Sequence, residues 1–366
     1  MQKRVSEEMI EDILVVDAVS HAYNQSPENY QADPDLCREF AEMGYHGLHL
    51  GFQPRGETKW ILDEERFYNG MDPEMIGHAF FSESPTDIAV YHSIPLYGLF
   101  KDGLSPLWVG KEMRDRYEGR VYLYAGISPF EDGVLDKVDQ LVEEQGVLAL
   151  KVYPGDIIDG VFHDWRLDDP EIAFPIIERA QSHGLRTIAV HKSQPLGAVP
   201  IGPFNVGDLE RAAMAFPDMN FEIVHGGWAF LEETASLVAR FKNVYVNLEA
   251  TSAYLHKAPM IFSTIVGAFL AAGGVDRLLW ATGAMLYHPR PYVEAFWDWQ
   301  MPESLQDGYG YPALSREDKA GILGGNFARM HGLSVEKLKS RIVDGRFPKP
   351  EEFAEPWSGG RRAVGA

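Results

Sequence analysis

Four histidines of this chain follow apolar runs that have the composition of buried β-strands. His21, His191 and His225 each end such a run, and His288 follows a fourth run by a few residues. In a β/α barrel the carboxyl ends of all strands meet at one face, where such imidazoles would converge. Nitrogen ligands from separate strands give the geometry that a transition metal needs. The spacing therefore predicts a metal site, although His288 taken alone is also compatible with a histidine in a surface loop.

Two carboxylates lie near the same strand ends. Asp17 occurs in ILVVDAVSH, where the two-residue period of a strand places it on the same side as His21. Because an unpaired buried carboxylate is costly, Asp17 needs a partner such as a metal or a hydrogen-bonded histidine; the alternative is an aspartate that caps the strand–loop junction. Glu249 ends the run NVYVNLE and is either a ligand or the hydrogen-bond partner of a ligand histidine. The predicted metal ligands are Asp17, His21, His191, His225, Glu249 and His288.

Other side chains near these strand ends could bind or transform a substrate. Lys151 belongs to the run LALKVYP. A buried lysine can carry a carbamate between two metals, pair with a substrate carboxylate, form a Schiff base or pair with an acidic side chain. Lys151 and Tyr287 are the candidate catalytic residues. Four further side chains either line a substrate pocket or pack the loops: Tyr23, Asn24, Tyr153 and Trp228.

Eight apolar runs supply the strands that must position these groups. They are apolar on consecutive positions, as expected when helices cover both faces of a parallel sheet. Segments with helical periodicity lie between them, for example 170–184 and 231–241. Eight β/α units in order predict an α/β fold, a (β/α)8 TIM barrel. The runs are 13–20, 86–93, 119–127, 147–154, 186–190, 220–224, 243–249 and 276–282.

Two regions fall outside this repeat. Residues 22–85 are too long for one crossover and are predicted to form an insertion, or cap, over the barrel top, with 44–52 as an extra element. Residues 336–366 are predicted to be a C-terminal extension, in which one helix precedes a tail rich in Pro and Gly that wraps a neighbour or is partly disordered. The barrel itself would occupy residues 1–335.

Composition excludes several classes of function. The 366 residues carry a net charge of −21, which argues against nucleic acid or an anionic membrane surface as a partner. A single cysteine, Cys37, rules out an internal disulfide and a cysteine-based zinc site, and it fits a cytoplasmic protein. We expect neither a membrane span nor a secretory signal, because no run approaches about 18 apolar residues and the N-terminal segment lacks an apolar core. The sequence contains no phosphate-binding loop, dinucleotide fingerprint or serine-nucleophile motif.

The chain resembles the amidohydrolase superfamily, and within it the branch that contains aminocarboxymuconate semialdehyde decarboxylase. The resemblance covers about residues 10–335 and implies a barrel of amidohydrolase type with one or two metal ions at its top. It rests on strand 5 with His191 and on the segments HGG (225–227), FKNVYVNL (241–248), GGVDRLLWAT (273–282) and ILGGNFARMHGL (322–333).

Two positions depart from the pattern of that branch. The strand-1 motif of the branch is D-x-H-x-H, and in this chain Val19 stands in place of the first histidine. On strand 8 the branch has an aspartate, and this chain has Gly283 at that position. In hydrolytic members that aspartate binds metal and handles the protons of the attacking water, so its loss argues against ordinary hydrolysis. Either the site has decayed to one structural metal or none, or Asp17, Glu249 and His288 have rebuilt it.

A rebuilt site with four histidines and two carboxylates has too many ligands for one four-coordinate zinc. Mixed nitrogen and oxygen donors suit two metal ions, iron or manganese. The chain is similar in this respect to a small branch of dinuclear non-haem oxygenases that includes α-aminoisobutyric acid hydroxylase. That resemblance implies a hydroxylase that uses O2 on an unactivated C–H bond of a small amino or carboxylic acid. It also implies an electron-donor protein and a homologous partner subunit in a heterotetramer, with a homo-oligomer as the other possibility.

Two alternatives stay open at this point. The first is a mononuclear zinc decarboxylase or hydrolase of the same superfamily, which would act on a carboxylated substrate without O2. The second is a barrel without activity of its own, which would stabilise a homologous active chain. Metal content and the need for O2 distinguish the three possibilities.

Overall fold

Eight parallel strands form the central sheet of this protein. The computed structural model describes residues 10, 12–69, 72–195, 197–342 and 356–359. In the large sheet the strands neighbour one another in the order β1-β2-β3-β4-β7-β8-β9-β10, and β5 and β6 form a separate antiparallel hairpin. In chain order the strands are β1 (Val16–Ser20), β2 (Ile88–His92), β3 (Val121–Ile127), β4 (Ala149–Val152), β5 (Gly155–Ile158), β6 (Val161–Asp164), β7 (Thr187–His191), β8 (Asn220–Val224), β9 (Val244–Asn247) and β10 (Leu278–Leu279).

Hydrogen bonds between the first and last strand regions close the sheet into a barrel. The Ala18 N–H donates to the Trp280 carbonyl at 2.9 Å, and the His21 N–H donates to the Ala284 carbonyl at 2.8 Å. Ser20 also forms a parallel bridge with Ala284. The predicted (β/α)8 barrel is therefore confirmed, and each of the eight predicted runs coincides with one of its strands, with β7 ending one residue beyond its run.

The helices follow from the periodicity of apolar residues between the strands. In Ala173–Ser182 the buried positions 173, 176, 177 and 180 form one stripe that faces the sheet, and the chain leaves the helix at Gly184 with φ +80°. The α-helices are Pro34–Glu42, Leu50–Phe52, Glu64–Tyr68, Pro73–Phe81, Leu107–Arg116, Val134–Glu143, Ala173–Ser182, Leu209–Ala215, Leu231–Arg240, Tyr254–Lys257, Pro259–Ala271, Pro289–Asp298, Glu303–Tyr309, Arg316–Ala320, Asn326–Met330 and Val335–Arg341. Shorter 3-10 or π segments are Pro27–Asn29, Met43–His49, Gly202–Phe204, Thr251–Ala253, Val275–Arg277, Gly321–Gly325 and Trp357–Gly359.

The long segment after β1 is helical and contributes to the barrel mouth. Its elements Pro34–Glu42 and Met43–His49 include the predicted extra element and supply apolar side chains to a cavity above the strand ends. The predicted C-terminal extension begins with the helix Val335–Arg341, and Trp357 packs against the body of the protein with no exposed surface. The prediction for residues 343–355 and 360–366 lies outside the described residues.

No helix within the described ranges is both long enough and apolar enough to span a membrane. This finding agrees with the sequence, in which the most apolar helix, Pro259–Ala271, has 13 residues.

Candidate metal and acid–base site

Six polar side chains from six different strands face one another at the barrel mouth. All are at least 95% buried, and their charges influence one another across the barrel. Because the surrounding barrel is apolar, such a concentration of titratable groups points to chemistry rather than to packing. We call them the barrel-mouth cluster: His21, His92, Lys151, His191, His225 and Glu249.

Two imidazoles of the cluster are held in place by main-chain carbonyls. The Nδ1 atom of His21 is 2.9 Å from the carbonyl oxygen of His92, and Nε2 of His191 is 2.7 Å from that of Gln194. A carbonyl can only accept, so these nitrogens carry the protons and the lone pairs lie on Nε2 of His21 and Nδ1 of His191. Burial lowers the pKa of His21 to about 4 and that of His191 well below its usual range, so both rings are neutral near pH 7.

His225 connects His191 to Glu249. Its Nε2 atom is 2.9 Å from Nδ1 of His191, and its Nδ1 atom contacts the Glu249 carboxylate. The backbone of His225 is left-handed, with φ +64°, directly after β8. Such a conformation is unfavourable for a residue with a side chain and is retained mostly at functional positions. The turn aims the imidazole across the mouth instead of along the strand.

The Glu249 carboxylate occupies space that Gly283 leaves open. A Cβ atom at position 283 would lie 2.8 Å from both Cγ and Cδ of Glu249, and the backbone there has φ +69°. Neither carboxylate oxygen has a hydrogen-bond partner among the described residues apart from the contact with His225. Burial raises the pKa of Glu249 to about 7, against the opposing influence of His21 and Lys151. The glycine at the strand-8 position where the family has an aspartate thus provides the space that the Glu249 side chain fills.

Lys151 of the cluster lies near the charge of a second buried carboxylate, Glu222, and both residues pair with Ala189 in the sheet. The Nζ atom of Lys151 has no hydrogen-bond partner in the described chain and lies 5.4 Å from the ring centre of Tyr153. Oε1 of Glu222 accepts a hydrogen bond from Asn247 at 2.6 Å. Burial lowers the pKa of Lys151 to about 7, although the charges of Glu249 and Glu222 act in the opposite direction. Burial also raises the pKa of Glu222 to about 7. With a pKa of about 7, Lys151 can take up a proton at neutral pH and pair with an incoming anion.

Asp17 is directed toward the barrel wall. Its Oδ2 accepts from the Thr282 hydroxyl at 2.5 Å, and its Oδ1 accepts from the N–H groups of Thr282 and Val19 at 3.0 and 3.3 Å. Burial raises the pKa of Asp17 to about 7, while these hydrogen bonds act in the opposite direction. Its predicted role as a ligand stays a prediction, and its oxygens are already engaged in this structure.

His288 lies in a different part of the molecule. Its Nε2 is 3.0 Å from Oε2 of Glu83, its Nδ1 accepts from the N–H of Arg290 at 3.3 Å, and its ring packs on Trp60 with centroids 4.2 Å apart. Trp357 covers this pair, and the Ser358 hydroxyl donates to Glu83. We call this set the His288 region: Trp60, Glu83, His288, Trp357 and Ser358. The structure does not bring His288 to the barrel-mouth cluster, so its role as a ligand also stays only a prediction.

The remaining predicted site residues divide between the cavity and the surrounding packing. Tyr23 and Tyr153 line a cavity of about 30 Å³ whose floor includes His21, His191 and Glu249. Tyr287 is fully buried behind it. The Tyr287 hydroxyl is 2.7 Å from that of Ser252, and Trp228 packs on Phe52 and Tyr254. Asn24 accepts a hydrogen bond from the Ser26 hydroxyl in a turn.

Sequence reasoning missed His92 and Glu222. His92 ends β2 as His191 ends β7, and neither of its ring nitrogens has a partner among the described residues. The signal that singled out the other histidines, an imidazole at the end of an apolar run, was present in TDIAVYHS. Glu222 interrupts the apolar run NFEIVH, and its charge in a strand that is otherwise buried was a second usable signal.

The cluster fits a divalent metal by its donor types, although its donors are paired with one another. Among the described residues, no three His, Cys, Asp or Glu side chains stand close enough together to hold an ion in these positions. The reason is local, because His191 bonds to His225 and His225 contacts Glu249. Imidazole lone pairs set by carbonyl groups, next to a carboxylate without other partners, are the donor chemistry that zinc or manganese binds.

Comparisons with known proteins give the family. A family model described as amidohydrolase (Amidohydro_2) matches residues 68–333, which is more than half of the chain. The chain belongs to the amidohydrolase family. A comparison with curated proteins found no sequence match.

Solved structures agree with this fold. An uncharacterised TIM-barrel protein from Bordetella bronchiseptica is 15% identical with a TM-score of 0.58, over 87% of this chain and 100% of its own. A 5-carboxyvanillate decarboxylase from Novosphingobium aromaticivorans, complexed with manganese, is 12% identical with a TM-score of 0.53, over 88% of this chain and 97% of its own. A dihydroxybenzoic acid decarboxylase from a Polaromonas species, with bound manganese, is 12% identical with a TM-score of 0.52, over 87% of this chain and 97% of its own. At these identities the similarity to solved structures shows the fold of this amidohydrolase and no more.

Proposed function

We propose that this amidohydrolase is a metal-dependent lyase or hydrolase that acts on a small carboxylated substrate, with decarboxylation as the first reaction to test. One observation carries the proposal. His21 and His191, from opposite parts of the barrel, each have one ring nitrogen held by a main-chain carbonyl, which leaves the other nitrogen as a lone pair at the mouth. This arrangement is the usual support of a metal-binding histidine.

The ligands of the proposed ion would be His21, His191, His225 and Glu249. The ion, when bound, would supply Lewis-acid polarisation of a substrate oxygen. Binding of the ion would break the His191–His225 hydrogen bond and the His225–Glu249 contact. The side chains that now pair with one another would then bind the ion instead. A single ion suffices for these four donors.

Lys151 and Glu249 have complementary roles in this proposal. Lys151 has no hydrogen-bond partner in the described chain, and its ammonium form would pair with the carboxylate of the substrate. Because the pKa of Glu249 is about 7 in the metal-free protein, its carboxyl group can hold or release a proton at neutral pH. In a decarboxylation the C–CO2 bond breaks, CO2 leaves, and the carbon that keeps the electron pair takes a proton. Glu249 as a ligand would have released its own proton, so the proposed donor is Lys151, which would pair with the departing carboxylate.

The solved relatives support this choice of reaction class. Several of them with TM-scores above 0.5 are decarboxylases of carboxylated aromatic compounds, and some were solved with manganese. Manganese and zinc are therefore the first ions to test with this chain. The cavity of about 30 Å³ holds on the order of two water molecules, so the substrate of this chain would be smaller than those aromatic acids unless the cap moves.

Metal binding tests the proposal directly. We expect metal-stripped protein to take up about one equivalent of Mn²⁺ or Zn²⁺ in calorimetry, and His21→Ala and His191→Ala to lose at least tenfold in affinity. His46→Ala is the matched control, because His46 is exposed on the cap and should leave affinity unchanged. Equal affinity in all four proteins would show that the strand-end imidazoles bind no metal.

A dinuclear, O2-dependent hydroxylase is the second candidate. The observation in its favour is His92, which adds a fifth nitrogen or oxygen donor to the mouth and has no partner in the described chain. This candidate requires two metal equivalents, product formation that stops without O2, an electron donor and, by resemblance, a homologous partner subunit. Turnover under argon with one equivalent of metal would exclude it.

A further inference from the structure

Two glutamine side chains that no part of the proposed mechanism uses face the cavity at the barrel mouth. Gln25 lies four residues after His21, and Gln194 lies three residues after His191, so each belongs to a loop that begins with a proposed ligand. Both line the same cavity as those histidines and Glu249, and they are 2% and 7% exposed.

Both carboxamides carry unpaired polar atoms. Oε1 of Gln25 and Oε1 of Gln194 are buried, and neither has a hydrogen-bond partner among the described residues. The main chains of the two residues are engaged, since the Gln25 N–H donates to the Tyr68 carbonyl and the Gln194 carbonyl accepts from His191. The loops are thus fixed while the amide groups are left for another molecule. Buried polar atoms nearly always have partners, so these two amide oxygens, in the same cavity as the Glu249 carboxylate, call for an explanation.

The rest of the cavity wall is apolar. Above the polar floor it is formed by Phe40, Met43 and Leu48 of the cap and by Ile94 and Leu104 from the loop after β2. A ligand that fits this wall has a short aliphatic body, and apart from the hydroxyls of Tyr23 and Tyr153 the two amides are the groups beside it that can bind a polar substituent. An unpaired carbonyl oxygen accepts a hydrogen bond, so the substituent it fits is a donor, namely a hydroxyl or an amino group.

We propose that Gln25 and Gln194 select the substrate by accepting hydrogen bonds from a hydroxyl or amino substituent of a small aliphatic carboxylic acid. This inference rests on the proposed function, because it assumes that the carboxylate end of the acid faces Lys151 and the proposed metal ligands. A pocket built to bind a donor rejects the analogue that lacks it, because the unpaired amides then stay buried without a partner.

Three acids of matched size test the proposal. Metal-loaded protein is titrated with propanoate, lactate and alanine, which carry no donor, a hydroxyl and an ammonium group on the same carbon. We expect lactate or alanine to bind at least tenfold more tightly than propanoate, and whichever binds more tightly identifies the substituent. In the double variant Gln25→Leu/Gln194→Leu, the ratio of the affinity for lactate or alanine to the affinity for propanoate should fall to about one. Gln181→Leu, an exposed glutamine on the helix Ala173–Ser182, is the control and should keep the wild-type ratio.

Thermal unfolding of the ligand-free protein provides a second readout. Leucine removes a buried amide that has no partner, so the Gln25→Leu and Gln194→Leu proteins should melt at the same temperature as the wild type or higher. A lower melting temperature in both would mean that the glutamines are structural, and it would overturn the proposal. An unchanged acid ratio in the double variant, or no binding of any of the three acids to metal-loaded protein, would overturn it as well. Failure of the proposed function is recognised separately, by the absence of metal binding in the wild type.

Discussion

The barrel-mouth cluster and the His288 region each contain a buried histidine beside a buried glutamate, but the two pairs use their polar atoms differently. His288 bonds to Glu83 through one nitrogen and to a main-chain N–H through the other, and Glu83 also takes the Ser358 hydroxyl. In the barrel mouth the His225–Glu249 contact leaves carboxylate capacity unused beside a cavity. The polar side-chain atoms of the His288–Glu83 pair all have hydrogen-bond partners, whereas within the described chain those of the His225–Glu249 pair do not.

This difference shows which property of a buried polar pair indicates function. Burial is nearly the same in both, since His225 and His288 are 5% and 0% exposed. What separates them is the presence of lone pairs without partners and of space next to them. A saturated pair contributes to stability, whereas an unsaturated pair next to a cavity can bind something.

The largest expected effect comes from breaking the saturated pair. His288→Ala should lower the free energy of unfolding by about 3 kcal/mol or more, because it leaves the Glu83 carboxylate buried beside Trp60 and Trp357 without its imidazole. Metal affinity should not change, since His288 does not reach the cluster. Chemical denaturation and metal calorimetry on the same samples measure both quantities.

A matched pair nearer the surface sharpens this test. His183 bonds to Asp139 at 2.7 Å, but both side chains are at least one-fifth exposed to solvent. His183→Ala should therefore be far less destabilising than His288→Ala. Loss of metal binding in the His288→Ala protein, with the fold intact, would instead restore the six-ligand site that the sequence predicts.

The next largest effect tests the space that Glu249 needs. Gly283→Ala should cost about 1–2 kcal/mol from the left-handed backbone and about 1–3 kcal/mol more from the collision with Glu249. Gly273→Ala has the same backbone problem, with φ +73°, but nothing lies within 4 Å of the added methyl group. Only Gly283→Ala should weaken metal binding. Equal metal affinity in the two variants would contradict the assignment of Glu249 as a ligand.

A third comparison separates Asp17 from the cluster. Thr282→Val removes the hydroxyl that donates to Asp17 but keeps the main-chain N–H, and it should cost about 1–3 kcal/mol. If Asp17 only joins the barrel wall to the loop after β10, metal affinity stays within twofold of the wild type. A larger drop would show that Asp17 belongs to the metal site, as the strand alternation predicts.

Strand positions could be predicted from the sequence because a barrel strand covered on both faces leaves a continuous apolar run. The same logic located His21, His191, His225 and Glu249, since a polar residue that ends such a run must lie at the barrel mouth. It should also have located His92, which satisfies the identical criterion. The site is therefore predictable to the extent that its residues are tied to strand ends.

His288 and the cavity residues show where this logic stops. His288 follows β10 by nine residues, and the direction of a loop of that length is decided by tertiary contacts such as Glu83 and Trp357, which are distant in sequence. Gln25 and Gln194 carry no periodic signal at all. Their role depends on atoms that lack partners, and a sequence does not show which hydrogen bonds are missing.

The smallest effect, and the most specific to the cluster, is its dependence on pH. Burial raises the pKa of Glu249 from 4.5 to about 7 in the metal-free protein, whereas burial lowers that of His21 to about 4. Between pH 5 and 7 the proton that competes with the metal is therefore the one on the Glu249 carboxyl group. Metal affinity should rise about tenfold per pH unit in this range and level off above pH 7. The contribution of Glu249 to the stability of the metal-free protein changes in the opposite direction, whereas the contribution of His21 rises between pH 4 and 6.5. The contribution of a protonated Glu249 is full below pH 4.5 and is lost as the pH rises through 7. Calorimetry and denaturation from pH 5 to 8 measure both trends, and Glu249→Gln should remove the rise in metal affinity together with the Glu249 contribution to stability. A pH dependence of metal affinity that survives in Glu249→Gln would assign the proton to Asp17, Glu222 or Lys151, the other groups with a pKa of about 7 at this end of the barrel.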